Sequence, residues 1–316
     1  MDILSGPLHG PIGPGRNDRV GRVRLVWQLV VNGIITGSMC ALVGIGFGLI
    51  YSVGRFFHFA HGMVFTLGAY FVYLFSSLFS LSIQFSIILA IIFAPFVGCL
   101  IEIVVYRPLR GKGAGSLVIL IASLGIYVVL QNTISIVFGD STKSIRAGAV
   151  HEGIVFCGAH ITTPQMAMVL ICVLSVAMLT GILHKTRIGH LMRAAGSDPG
   201  LAAALGIDIN RVILYAIVIA SLLGSAAGIL TAVDVDITPS MGLQPLMLGV
   251  IAAIVGGIGS IPGIGLGGML LGIAYHLGVW KISSQWQDAI AFTILLVFLL
   301  IRPRGFLGRR INGAIL

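Results

Sequence analysis

An all-α polytopic membrane protein with about eight transmembrane helices, some of them broken or re-entrant, is the fold class that three observations predict. Of the 316 residues, 57% are hydrophobic and only 9% are Asp, Glu, Lys or Arg, against about 25% charged in an average soluble domain. Six uncharged runs, 25–54, 56–101, 113–139, 153–184, 212–233 and 237–280, each exceed the roughly 20 residues that cross a bilayer as a helix. The cations collect in short gaps between those runs, as they do in the cytoplasmic loops of membrane proteins. An ordinary soluble enzyme is excluded, because its core would need a charged surface around it.

The formal charge of +9 would suggest nucleic acid as a ligand in a soluble domain, but the positions of the charges decide against it. Arg16, Arg19, Arg22 and Arg24 precede the first apolar run, and Arg107, Arg110 and Lys112 separate two others. Lys185, Arg187, Arg193 and Arg211 fill a further gap, and Arg302, Arg304, Arg309 and Arg310 end the chain. Cys40, Cys99 and Cys172 lie in apolar runs and Cys157 stands alone, so neither a disulfide framework nor a metal knuckle is expected. Residues 1–24, rich in Pro and Gly, read as a flexible basic tail. The apolar run behind them is too long for a signal-peptide core and lacks an Ala-x-Ala exit. A transmembrane domain over 25–308, which includes the loop 184–210, and a tail over 309–316 complete the organisation.

In chain order, helices are predicted over approximately 26–51, 60–79, 83–106, 116–138, 164–183, 211–232, 244–257, 263–279 and 287–301. Ser80 and Ser82 divide the second run weakly, and the Gly-Pro stretch from Gly256 to Gly263 divides the last one strongly, since Gly and Pro punctuate helices. Placing 107–112, 184–211 and the tail in the cytoplasm gives six crossings from 116 to 301. The three candidates before them are odd in number and would put the Arg-rich start outside. A break in one of the three leaves eight crossings and both termini inside. Gly44, Gly46, Gly48 and the polar stretch 54–62 mark where that irregularity is expected, and such backbone must be covered by protein or a cavity. Among the 43 glycines, the GxxxG pairs Gly33/Gly37, Gly44/Gly48, Gly224/Gly228, Gly263/Gly267 and Gly268/Gly272 read mainly as packing between helices of one chain.

The loop 184–210 has more pattern than a tether. Arg187, Leu191 and Ala194 or Ala195 fall near one face at helical spacing, Asp198 can cap a second short helix that starts at Pro199, and Gly206 can stop it. Two short helices and a turn suit docking into a groove on another protein, or lying along lipid headgroups. Adjacent amides at Gln131 and Asn132 read first as interhelical hydrogen bonds and second as substrate contacts. His58 and His61 lack a third donor at metal-site spacing, so His61 and Gly62 read as a tight polar corner. Glu102 reads as a partner for Arg107 or Arg110, and Asp234 and Asp236 as solvated turn residues. No GxxxxGK[S/T] phosphate cradle is present; no catalytic, cofactor-binding or metal-ligating residue is assigned.

The stretch Thr186-Arg187-Ile188-Gly189, followed by Arg193-Ala194, Gly196, Asp198 and Ala204 to Ile207, resembles the cytoplasmic coupling segment of LivH-type permease subunits of branched-chain amino-acid ABC importers. The likeness continues in GFGLIYSVGRFFHFAHGMVFTLGAY at 46–70, VVYRPLR at 104–110, VGGIGSIPGIGLGGMLLG at 255–272 and the last span with its exit at 288–308. It departs at His58, where the family usually has Asn, and in residues 1–24. The resemblance implies a multi-pass protein of the bacterial inner membrane that imports leucine, isoleucine and valine. It implies a second permease subunit, cytoplasmic ATPase subunits that hold ATP and Mg²⁺, and an external solute-binding protein. Thr186, Arg187, Gly189, Arg193, Ala194, Asp198 and Gly206 would couple to the ATPase, and His61, Gly62, Gln131, Asn132 and Gln244 are candidates for the translocation path. Import of urea, short amides or other amino acids is the nearer alternative. An ATP-independent channel or secondary transporter is disfavoured by the lack of an embedded ion-coupling carboxylate or a clear internal repeat.

Overall fold

The computed structural model describes residues 17–145, 153–156, 159–280 and 283–308. Residues 1–16 of the predicted tail 1–24, the predicted tail 309–316 and Cys157 lie outside them; residues 17–24 are not a flexible tail but the first turns of the first helix. Among the described residues eight helices are long and apolar enough to cross a membrane: Arg24–Gly54, His61–Leu78, Ile83–Gly111, Ser116–Phe138, Thr163–Lys185, Ile209–Asp234, Ile261–Gly278 and Ser284–Ile301. The shorter apolar helix Leu243–Gly256 lies among them. The polytopic all-α class is therefore borne out, with one small β-hairpin, Ile154–Phe156 paired with Ala159–Ile161.

Helix α1 (Asn17–Gly54) is the centre of the bundle, buried along most of its length against α11 (Ile261–Gly278), α10 (Leu243–Gly256) and α9 (Ile209–Asp234). Glycine makes this contact possible. A Cβ on Gly37 would stand 2.9 Å from the Gly268 carbonyl, and one on Gly33 2.7 Å from the Ile273 Cα, so these two antiparallel backbones touch directly. The same device joins α2 (His61–Tyr73) to α9, where Gly68 lies 2.7 Å from the Ser225 carbonyl by the same measure. The GxxxG pairs thus serve packing within the chain, as predicted. By contrast α5 (Ser116–Phe138), α6 (Thr163–Lys185) and α12 (Gln287–Ile301) expose most of their apolar surface, as suits helices that face lipid or a partner.

The expected interruption of the first span is corrected in part. Gly44, Gly46 and Gly48 lie inside a continuous α1, because each fits against a neighbouring helix rather than breaking its own. The break falls at 55–60, within the polar stretch, and starts with Arg55 in the left-handed region at φ +56°. A second break precedes α10. Gly44 lies against Gly249 and Gly48 beside Ala253, so α10 runs parallel to α1 and begins level with its middle, about 21 Å long at 1.5 Å per residue. Gly62 at the start of α2 meets the Gly242 carbonyl at 2.8 Å by the same Cβ measure. The starts of α2 and of the shorter α10 therefore lie side by side within the bundle, which is where irregular backbone is tolerated in a membrane.

Expecting both termini on one side is also corrected. Gln28, near the start of α1, bonds the backbone of His160 in the hairpin, whereas Arg55, just after α1, reaches Gly196 in the 186–206 element. The ends of α1 lie on opposite faces. Residues 304–308 pack on Gly257, on the face of the 186–206 element. Counting α10 as a pass gives nine, and an odd number separates the ends.

Candidate functional site

The 186–206 element folds as two short helices, α7 (Arg187–Ser197) and α8 (Pro199–Ala204). Thr186 makes the turn from α6: its hydroxyl donates to the Ile182 carbonyl at 2.7 Å and accepts from the Gly189 amide at 3.2 Å. Asp198 caps α8 through the Leu201 amide at 2.9 Å, Pro199 is its first residue, and Gly206 ends the unit at φ +83°. Of the predicted face, Leu191 and Ala194 are half-buried and Ala195 is buried. Arg187 is exposed, and the buried line is Gly189, Met192 and Ala195, because α7 lies against the end of α6. A Cβ on Gly189 would collide with the Ile182 carbonyl and the Leu183 backbone. On the outer side Ile188, Leu201 and Leu205 are 41, 60 and 75% exposed, an apolar surface that asks for a cover. Ala194 is half-buried, and its carbonyl accepts from Ser197 at 2.9 Å.

One polar strut joins this element to the bundle and a second ties Arg110 to the helix that follows the element; neither was foreseen in full. The Arg55 guanidinium donates to the carbonyls of Gly196 and Ser197, a cation on the last turn of α7 where the helix dipole favours one. Buried Glu102 pairs with Arg110, which also donates to the Asn210 amide oxygen at 3.2–3.3 Å at the start of α9. Glu102 lies in a π-helical turn, Glu102–Tyr106, that continues α3 (Ile83–Ile101) into α4 (Arg107–Gly111). The Arg110 alternative for Glu102 is thus the one realised. Replacing Glu102 with Gln is expected to cost about 2 kcal/mol, the range for hydrogen bonds to charged groups. A lowered thermal midpoint of the solubilised protein, partly recovered in the Glu102→Gln/Arg110→Gln pair, checks it.

The 55–60 break leads from Arg55 to a buried polar centre. His58 Nδ1 bonds the Tyr106 hydroxyl at 3.0 Å, and Ser123 accepts from the Phe59 amide at 3.2 Å and so fixes the break against α5. His61 fills the space between α1 and α9: a Cβ on Gly46 would come within 2.7 Å of its Nε2, and one on Gly224 within 2.8 Å of its Cε1. His61 and Gly62 therefore form the tight corner predicted for them. His58 Nε2, both His61 nitrogens and Ser221 Oγ are buried with no hydrogen-bond partner. Unpaired buried polar atoms are costly and concentrate where a protein binds something or moves. Among the described residues no cluster of three His, Cys, Asp or Glu side chains forms a metal site.

The remaining path candidates are dispersed. Gln131 is half-buried, and exposed Asn132 donates to Val128 of its own helix at 2.7 Å, so it is neither interhelical glue nor an interior lining within this chain. It sits on the outward face of α5. Gln244 donates to the Tyr275 hydroxyl at 2.9 Å and to Asp288 at 3.3 Å, tying α10 to α11 and α12. Asp234 is no solvated turn residue: it accepts from Thr162 at 2.6 Å and Gln165 at 2.9 Å and fixes the start of α6. Arg55, Tyr106 and Asn210 were not singled out from the sequence. Arg55 alone left a signal, as the single charge between the first two apolar runs.

Two helices that start side by side at a buried polar corner, with a helical element clamped beneath them, are a transporter's arrangement, and comparison with known proteins agrees. Residues 29–299 match the family described as branched-chain amino acid transport system / permease component. The chain belongs to that family. The high-affinity branched-chain amino acid transport system permease protein LivH of Salmonella typhimurium is 34% identical over 297 residues, 89% of this chain and 95% of the relative. BraD of Pseudomonas aeruginosa, a permease protein of the same description, is 33% identical over 296 residues, again 89% and 95%. Among solved structures, PsaBC from Streptococcus pneumoniae in complex with Fab shares the fold, with a TM-score of 0.51 at 15% identity over 91% of this chain and 95% of that one. As a member of a permease family the protein is a multi-pass membrane subunit of a transport system rather than the catalyst of a bond-changing reaction.

Proposed function

We propose that this permease imports leucine, isoleucine and valine with energy from ATP hydrolysed, with Mg²⁺, in separate cytoplasmic subunits. It would work beside a second permease subunit and receive substrate from an external binding protein. The clamped 186–206 element carries this reading. Its apolar outer surface is available to an ATPase, its inner line packs on α6, and Arg55 ties its end to the break that holds His58 and His61. A rigid-body stroke of the ATPase would reach the buried centre through that tie. There the unpaired polar atoms and the adjoining helix starts can meet the charged ends of an amino acid while α1 and α9 offer apolar walls. Asn132, outward on α5, would then face the second permease subunit rather than lipid, where an amide is costly. The test is uptake of labelled leucine, isoleucine, valine, urea and a short amide by vesicles that hold the complex co-purified with this chain. ATP-dependent uptake confined to the three amino acids is expected. Uptake of urea or amide alone would overturn the substrate, and ATP-independent passage would overturn the mechanism.

A further inference from the structure

A cleft of about 340 Å³ opens where α7 meets the break between α10 and α11. Ser52 at the end of α1, Thr180 and His184 of α6, Arg193 and Ser197 of α7 and Ser260 before α11 form its polar wall, and Leu49 and Met192 lie among its apolar lining. No Asp or Glu lines it. Arg193 Nη1 reaches only His184 Nδ1, at 3.5 Å, and its Nε is buried with no partner. Neither of the ion pairs among the described residues involves it. A guanidinium in a half-enclosed space whose one contact is a long one to an imidazole nitrogen is an unfinished interaction, and an anion with planar oxygens finishes it best. The apolar lining adds a preference for a hydrocarbon body.

We propose that this cleft binds a small aliphatic carboxylate from the side of the 186–206 element, with the carboxylate on Arg193 beside His184 and the hydrocarbon against Leu49 and Met192. Its walls belong to α1, α6, α7 and α11, elements that a coupling stroke would shift against one another. An occupant therefore holds α7 in place and brakes transport from the product side. The brake rests on the transport reading above; the binding does not.

The purified complex is titrated with 4-methylpentanoate, with 4-methylpentan-1-ol as its uncharged match, with inorganic phosphate as an anion without hydrocarbon, and with leucine. Thermal midpoint and ATP hydrolysis are read together. A saturable rise in midpoint and a fall in hydrolysis are expected with 4-methylpentanoate, neither with the alcohol, and a weaker response with phosphate. A response to leucine equal to that of 4-methylpentanoate would make the transported amino acid the occupant; a response to 4-methylpentanoate alone would assign a carboxylate without an amine. His184→Glu, on an exposed side chain, should abolish the rise and His184→Lys should keep it. An equal response to the alcohol, an undiminished one in His184→Glu, or none in the complex overturns the site. Binding without any change in hydrolysis overturns the brake.

Discussion

Gly189→Glu is expected to reduce uptake about tenfold or more while the protein stays in the membrane at normal abundance. Even a Cβ at this position would collide with the Ile182 carbonyl and the Leu183 backbone. Overpacking of this kind costs about 1–3 kcal/mol, and each 1.4 kcal/mol is about a factor of ten in an equilibrium. The strain is relieved most simply by lifting α7 from the end of α6, since the α1–α11 and α2–α9 contacts are remote from it. Assembly and insertion then survive and force transmission does not. ATP hydrolysis measured in the same vesicles should lose its stimulation by substrate. Normal uptake with normal stimulation would show that α7 need not sit on α6.

Arg55→Gly separates the tie from the fold. Arg55 holds a left-handed φ of +56°, which costs a non-glycine residue roughly 1–2 kcal/mol and glycine nothing. The variant loses the hydrogen bonds to Gly196 and Ser197, each of the charge-assisted kind that contributes about 1.5–3 kcal/mol, and regains the strain. The relieved strain offsets only part of the loss, so the thermal midpoint should fall, but by less than in Arg55→Ala, which loses the same bonds and keeps the strain. Uptake should fall several-fold and equally in both variants, because the end of α7 is no longer tied to the break. Arg55→Lys keeps a donor and should keep part of the uptake. Parent-like uptake by Arg55→Gly would remove the tie from the mechanism.

Much of this architecture was legible because membrane solubility constrains composition so strongly. Uncharged runs locate the spans, and the caps of the 186–206 element follow from Thr186, Asp198, Pro199 and Gly206, whose roles are local. What stayed hidden depends on contacts between distant segments. Gly44 to Gly48 suggest a broken helix by composition, yet each is a contact point for a neighbour. The half-length α10 looks like an ordinary span end until its start is found beside Gly62. Nothing in the order of residues pairs Arg55 with Gly196, 141 positions away, or Tyr106 with His58. Asn132 shows the opposite limit: its amide attracts attention in the sequence, but within this chain it bonds only the Val128 carbonyl of its own helix.

Cross-linking from the outer side of the 186–206 element tests the coupling role most directly. Single cysteines at Leu205, which is 75% exposed on α8's exit, and at Leu81, exposed on the opposite face between α2 and α3, are placed in the complex reconstituted in vesicles. Leu205→Cys is expected to cross-link to the ATPase subunit, with a yield that changes on adding ATP, and Leu81→Cys is expected to give no ATPase adduct. An ATPase adduct from Leu81→Cys with none from Leu205→Cys would contradict the account.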